Sequence, residues 1–224
     1  LGDDLADPGA RVQRGKGVLE DHLDSGAVRS HGGTPKRPYR SRIQMVFQDP
    51  FASLNPRARV GKIIAQGPML QGADPETARV RAMELLETVG LDKGAYDRFP
   101  HEFSGGQRQR IGIARALALE PEILVADEPV SALDVSIQAQ ILMLLDEIRD
   151  RMNLSMIFIT HDLRVAAQVC DRIAVMRRGE VVEIGPTAEI FAKQQHPYTR
   201  ELLAAVPGKG SFVQEETAGA AVVN

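Results

Sequence analysis

Two stretches of this sequence combine residue types and spacing suited to handling a nucleoside triphosphate. The first is Ser104-Gly105-Gly106-Gln107, which opens a helical run ending near Leu119. Ser104 stands at the N-cap position with Gln107 three residues later, the spacing of a capping box. The two glycines leave backbone N–H groups unshielded at the positive end of that helix, where phosphate oxygens bind well. The second is Ile123 to Ala126, an apolar run closed by Asp127 and Glu128. Asp127 offers hard carboxylate oxygens for a Mg²⁺ shell, and Glu128 can orient or deprotonate a water.

These groups need a scaffold, and the flanking sequence supplies one. Ile-Leu-Val-Ala comes after the break at Glu120-Pro121 and is rich in strand formers, so it reads as a buried parallel strand. Ligand-handling groups in open α/β sheets lie at the carboxyl ends of strands, which is where the two acids fall. Asp134 is placed to cap a helix in which Ile137, Ile141, Leu144, Leu145, Ile148 and Met152 recur at helical spacing. Asn153-Leu154 ends it, and Ser155 to Thr160 reads as another buried strand leading into His161-Asp162. Upstream, Ile43 to Phe47 is strand-like and ends at Gln48; the breakers Asp49-Pro50 and Asn55-Pro56 make the next segment a loop.

Between that loop and the glycine-tipped helix, Val60 to Gly94 reads as helical. Asp74 is an N-cap with Pro75 at the first helical position, and Gly90 suits C′. Val80, Met83, Leu86 and Val89, widened by Leu85, give an apolar core stripe. After Asp162 to Val169, a short helix, two strands (Arg172 to Met176, Glu180 to Ile184) form a hairpin across Arg177-Arg178-Gly179. A further short helix spans about Ala188 to Lys193, and QQHPYTRELLAAVP reads as a packing tail, with His196 and Tyr198 structural instead of ligating.

Composition narrows the class. With 43% hydrophobic and 25% charged residues the chain is an ordinary globular protein, and a net charge of −3 argues against a general nucleic-acid binder. The basic cluster Lys36 to Arg42 reads as a solvated strand edge. A single cysteine, Cys170, permits neither a disulfide framework nor a cysteine zinc cluster. No apolar run approaches the length of a membrane span, and no signal-peptide pattern opens the sequence.

SGGQ, then ILVADE, then SALD (Ser131 to Asp134), in this order, resembles the ATP-binding-cassette (ABC) ATPases. By that resemblance Ser104 to Gln107 is the signature motif, Ile123 to Glu128 the Walker B strand and Ser131 to Asp134 the D-loop. IQMVFQDPFASLNPR is similar to the Q-loop with Gln48 its glutamine, and His161 to the H-loop histidine. The resemblance implies an α/β fold with a P-loop NTPase-like parallel sheet core, incomplete at the N-terminus, an inserted α-helical subdomain (about 57–118) and a C-terminal extension. The ATPase domain would span 36–207, after a poorly ordered or remnant segment 1–35 and before a disordered tail 208–224.

The implied cofactors are ATP and Mg²⁺. Asp127 and Gln48 would serve the metal, and Glu128, His161 and Gln48 the hydrolysis. Ser104, Gly105, Gly106 and Gln107 would reach the nucleotide of a second ABC ATPase subunit in a head-to-tail homo- or heterodimer, with Asp134 linking the two sites. Other implied partners are transmembrane permease subunits and, indirectly, a periplasmic or extracellular solute-binding protein, at the cytoplasmic face of the membrane, with no nucleic acid. The Q-loop stretch and the HPYTR tail resemble the oligopeptide, dipeptide and nickel importers, so peptide uptake is the expected role, nickel or another solute the alternative. ABC ATPases that act on DNA or ribosomes carry coiled-coil insertions, zinc cysteines or paired cassettes, which this sequence lacks.

Two departures stand out. Phe103 replaces the usual leucine before SGGQ but keeps an apolar anchor. More consequentially, no G-x-x-x-x-G-K-[ST] loop occurs: Gly15-Lys16 is followed by Gly17, and Gly9 lies one position too far upstream. Val18 to Val28 resembles the tail of the segment that comes after such a loop. The expectation is a chain truncated or altered at its front, a fragment that binds ATP poorly by itself; a catalytically impaired cassette with a regulatory or dimer-partner role is the second account.

Overall fold

The structure, a computed structural model, describes residues 10–14, 41–49 and 53–205. The Gly15-Lys16-Gly17 tripeptide, the Val18 to Val28 segment, most of the basic cluster, Pro50 to Ala52 of the Q-loop stretch and the 208–224 tail lie outside the described residues. The chain divides into two compact units, 14–158 and a smaller one made of 1–13 with 159–224.

In the larger unit the strands run in the order β2 (Ile43–Val46), β3 (Ile123–Asp127), β4 (Ser155–Thr160), the last ending in the smaller unit. β2 and β3 are parallel, with Ile43 opposite Ile123 and Val46 opposite Ala126. Their register is clamped at the amino ends, away from the acids. Arg42 holds Glu122 in a two-pronged ion pair (2.7 and 2.5 Å), and the Glu122 N–H donates to the Arg42 carbonyl. Among the described residues the unit also holds the α-helices α1 (Val60–Leu70), α2 (Pro75–Thr88), α3 (Gly105–Leu117) and α4 (Val135–Met152). α1, α2 and α3 pack on one another, and α3 also meets β2 and α4.

The helix ends obey the chemistry of their caps. Asp74 accepts from the N–H groups of Glu76 and Thr77, with Pro75 in the first turn. At the other end of α2, Gly90 adopts φ +74°; its N–H bonds to the Glu87 carbonyl and that of Leu91 to the Leu86 carbonyl, a Schellman close. Asn153 ends α4 in the left-handed region at φ +50°. Gly61 of α1 abuts the Tyr96 ring, which leaves no room for a Cβ.

The apolar stripe expected on α2 needs correction. Val80 is 47% exposed; the buried face is Ala78, Ala82, Leu85 and Leu86, continued by Val89. Alanine contributes little to hydropathy, yet it fills two of the buried positions here, so the packing face tracks the small residues. Leu86, Ile111, Ile113, Leu117, Leu124 and Ile141 lie fully buried in this unit.

The smaller unit holds an antiparallel group in the order β1 (Ala10–Arg14), β5 (Arg172–Arg177), β6 (Glu180–Pro186). β1 departs from the loop reading of residues 1–35. Its backbone pairs with β5, Ala10 opposite Val175, a partner so distant in sequence that no local periodicity announces it. Arg178 (φ +49°) and Gly179 (φ +83°) turn the β5–β6 hairpin. Three short helices come after the H-loop region and the hairpin: α5 (Leu163–Val169), α6 (Thr187–Ala192) and α7 (Pro197–Ala204). Leu163 and Leu203 bury together against Phe191 and Leu202. His196 caps α7 by accepting the Tyr198 N–H on Nδ1, and Arg177 stacks 4.6 Å over the Tyr198 ring, so this pair packs the tail as expected.

Candidate nucleotide site

β3 ends on the acid pair. Asp127 is its last residue, half-buried, and Glu128 comes next with φ +43°, a left-handed conformation that a non-glycine residue adopts at a cost. The turn that enforces it is fully bonded: the Glu128 carbonyl accepts from the Ser131 hydroxyl (3.1 Å) and N–H (3.3 Å). The Leu133 N–H bonds to the Val130 carbonyl, and the Gln138 amide to that of Leu133. Asp134 closes the segment by accepting the Ile137 N–H at 3.0 Å, the expected cap of α4. The strained backbone turns Glu128 out of the strand's direction and toward β2.

There it meets Gln48. The Gln48 Nε2 donates to Glu128 Oε2 at 2.9 Å, joining residues eighty positions apart. The amide therefore fixes the orientation of the carboxylate through one of its oxygens. Asp127, next to Glu128 in the chain, adds a second carboxylate at the end of β3. Among the described residues no cluster of three or more His, Cys, Asp and Glu side chains is able to hold a metal on its own. This donor set fits Mg²⁺, which takes one or two protein oxygens and completes its shell with water and substrate phosphates.

At the tip of α3 the capping box is complete: Ser104 Oγ accepts from the Gln107 N–H (3.3 Å) and Gln107 Oε1 from the Ser104 N–H (3.0 Å). Phe103 is buried beneath, with the Arg98 guanidinium 4.2 Å over its ring. The two glycines differ. A Cβ on Gly106 would fall 2.5 Å from Ile137 Cγ2, so glycine there lets α3 meet the start of α4. A Cβ on Gly105 would sit 3.5 Å from Leu133, an ordinary contact, so packing does not require glycine at that position.

A cavity of about 210 Å³ is lined by Gln48, Asp49, Gly105, Arg108, Gln109 and the 129–133 turn. The structure thus brings Gln48 to Glu128, Gly105 to Leu133 of that turn, and Gly106 to Ile137 at the start of α4. His161, exposed, belongs to the smaller unit, where the adjacent Asp162 caps α5 through the Arg164 N–H (2.9 Å). The Arg164 guanidinium also bonds Asp162 and holds its carboxyl below the usual range, against the opposing effect of burial.

Two residues escaped the motif-based reading. Gln109 is 1% exposed, and its place three residues after Gly106 and four before Ile113 puts it on the buried face of α3. Arg115, also on α3, donates to the Ser53 carbonyl and pins the loop that begins at Gln48; burial lowers its pKa from the usual value.

The family model described as ABC transporter matches residues 17–131. The oligopeptide transport ATP-binding protein OppF of Bacillus subtilis is 53% identical over 171 residues, covering 75% of this chain and 56% of OppF. The dipeptide transport ATP-binding protein DppF of Lactococcus lactis is 50% identical over 182 residues, covering 80% of this chain and 58% of DppF. Among solved structures, CbiO1 of Clostridium perfringens, described as part of the ABC transporter complex CbiONQ, superposes with a TM-score of 0.63 at 31% identity over 75% of this chain and 65% of its own. The chain spans less than three fifths of the length of the curated relatives it matches. An acid-tipped parallel strand, a glycine-tipped helix and relatives of this identity agree on a P-loop NTPase-like α/β fold, and the chain belongs to the ABC transporter family.

Proposed function

We propose that this chain is the nucleotide-handling part of an ATPase subunit that energises peptide uptake through an ABC importer. The observation that carries the reading is the Gln48–Glu128 hydrogen bond beneath a strained Glu128 backbone, because it aims a carboxylate where a water must be polarised. Mg-ATP, when bound, supplies the phosphoanhydride that water cleaves. Asp127 would hold the metal through water, and Gln48 would complete its shell. Glu128 takes the proton of the attacking water, and the amide of Gln48 restricts the carboxylate to one orientation. His161 donates a hydrogen bond to developing negative charge.

The tip of α3 serves a second copy or a related cassette. Ser104, Gly105, Gly106 and Gln107 form this tip; the Ser104 and Gln107 N–H groups bond within the capping box, and Gly105, unneeded for packing, leaves its backbone open to a phosphate. Asp134, at the end of the adjoining turn, connects this surface to the acid pair. A groove of about 780 Å³ on the helical part, bordered by Asn55, Lys62, Ile63, Met69, Leu70 and Tyr96, suits a helix of a permease subunit; Leu70 is 81% exposed there. That partner would carry the membrane connection, at its cytoplasmic face; among the described residues no helix is long and apolar enough to cross a membrane. Peptide is the proposed cargo because OppF and DppF bear those names; nickel or another solute would leave the nucleotide site unchanged.

The missing G-x-x-x-x-G-K-[ST] loop favours a second reading, a cassette that pairs with another but turns over little. Isothermal titration separates the two. The 224-residue chain should bind Mg-ATP weakly, and a variant with the loop grafted at its front should bind in the micromolar range. Micromolar binding by the ungrafted chain, lost in Asp127→Asn, would contradict this assignment of the phosphate grip; no binding by the grafted variant would favour the impaired cassette.

A further inference from the structure

We propose that the cavity between Gln48, Gly105, Gln109 and Leu133 is a built site for ordered water, through which Gln109 acts as a positioning residue tying the loop after β2 to the turn after β3. Gln109 is 1% exposed, and its Nε2 has no hydrogen-bond partner among the described residues. A buried amide donor is destabilising unless satisfied, and its neighbours on this helix face, Gly112 and Ile113, carry no side-chain group that could bond it. The glutamine therefore needs a bonding role. The cavity it lines, about 210 Å³, exceeds the roughly 30 Å³ that one water occupies in the liquid.

Its walls are the right kind. Gln48, Asp49, Arg108 and Gln109 bring polar side chains, and Pro129, Ala132 and Leu133 belong to the turn whose bonding sets the Glu128 backbone. A water needs two to four polar partners, which Gln109 and the polar groups of these two loops would supply as a bridge. Gln109, on the rigid α3, thereby fixes the spacing of two loops that carry Gln48 and Glu128. That consequence rests on the nucleotide-site reading, whereas the bridge itself does not.

The test uses the nucleotide-free full chain. In the ¹⁵N-labelled protein the Gln109 side-chain amide should show cross-peaks to a long-lived water. Gln109→Leu, which keeps the shape and removes the donor, should speed amide hydrogen exchange at Asp49, Ala132 and Leu133 about fivefold, with α2 amides unchanged. Absence of the water cross-peak in the wild type overturns the proposal. So does an exchange rate that is unaltered in the variant, or accelerated uniformly. If Gln109→Leu fails to fold, Gln109→Glu, which puts acceptors where the donor stood, is judged by the same amides. Neither readout involves nucleotide, so a failed bridge and a failed ATP assignment are told apart.

Discussion

The α1–α2 hairpin and the loop cluster around Glu128 lie in the same compact unit, yet they are built on opposite terms. In the hairpin both ends of α2 are capped, Gly61 admits the Tyr96 ring, and Ala78, Ala82, Leu85 and Leu86 bury cleanly. In the cluster a glutamate holds a left-handed backbone, a buried glutamine amide lacks a partner among the described residues, and the motif side chains face outward. Within α2 the local rules hold at both caps and along the Ala78–Leu86 face, although Pro68 lies inside α1 and the buried Arg81 Nε has no partner among the described residues; the cluster breaks several. Natural proteins keep such violations where chemistry or motion requires them and compensate elsewhere. The contrast predicts that damage to the hairpin lowers stability, and damage to the cluster mostly lowers function.

Leu86→Ala gives the largest expected loss of stability. This side chain is 0% exposed, and its removal should cost about 2–5 kcal/mol in urea denaturation, as a cavity and a lost transfer term combined. A cost under about 1 kcal/mol would mean the hairpin is not the well-packed element its contacts describe.

The signature glycines set the contrast within a single helix turn. Gly106→Ala forces a contact at 2.5 Å on the branched Ile137 and should destabilise by about 1–3 kcal/mol. Gly105→Ala should leave stability within about 0.5 kcal/mol, while weakening whatever approaches the α3 tip in the grafted variant. Equal melting temperatures for the two alanine variants would remove the distinction between packing and ligand access.

The smallest effect concerns the loop that carries His161. Arg164 holds the Asp162 carboxyl below its unperturbed value of 3.8. A carboxyl lowered on folding stabilises above its unfolded pKa, and that contribution disappears as pH falls through the folded value. Thermal melts of the wild type and Asp162→Asn should therefore differ modestly at pH 6 and converge only as pH falls below 3.8 and on through the lowered folded value. A difference that stays the same throughout that fall in pH would assign the effect to packing instead of charge.

Much of this arrangement was legible in the sequence because it is local. The Ser104–Gln107 box, the Asp74 and Asp134 caps, the Gly90 and Asn153 stops and the β3 strand each declare themselves within a few residues. What escaped was set by distant partners or by weak hydropathy. The Gln48–Glu128 bond spans most of the unit, β1 depends on β5, and the Ala78–Ala82 face is masked by the more hydrophobic Val80. Gln109 is hidden because a polar side chain is read as surface unless its helical phase is traced.

The most direct test of the account is single-turnover ATP hydrolysis by the loop-grafted chain with Glu128 and with Glu128→Gln. The substitution keeps size and hydrogen bonding but removes the proton acceptor. The account predicts that Mg-ATP binding survives while the hydrolysis rate falls by at least about 100-fold. An unchanged rate would contradict it.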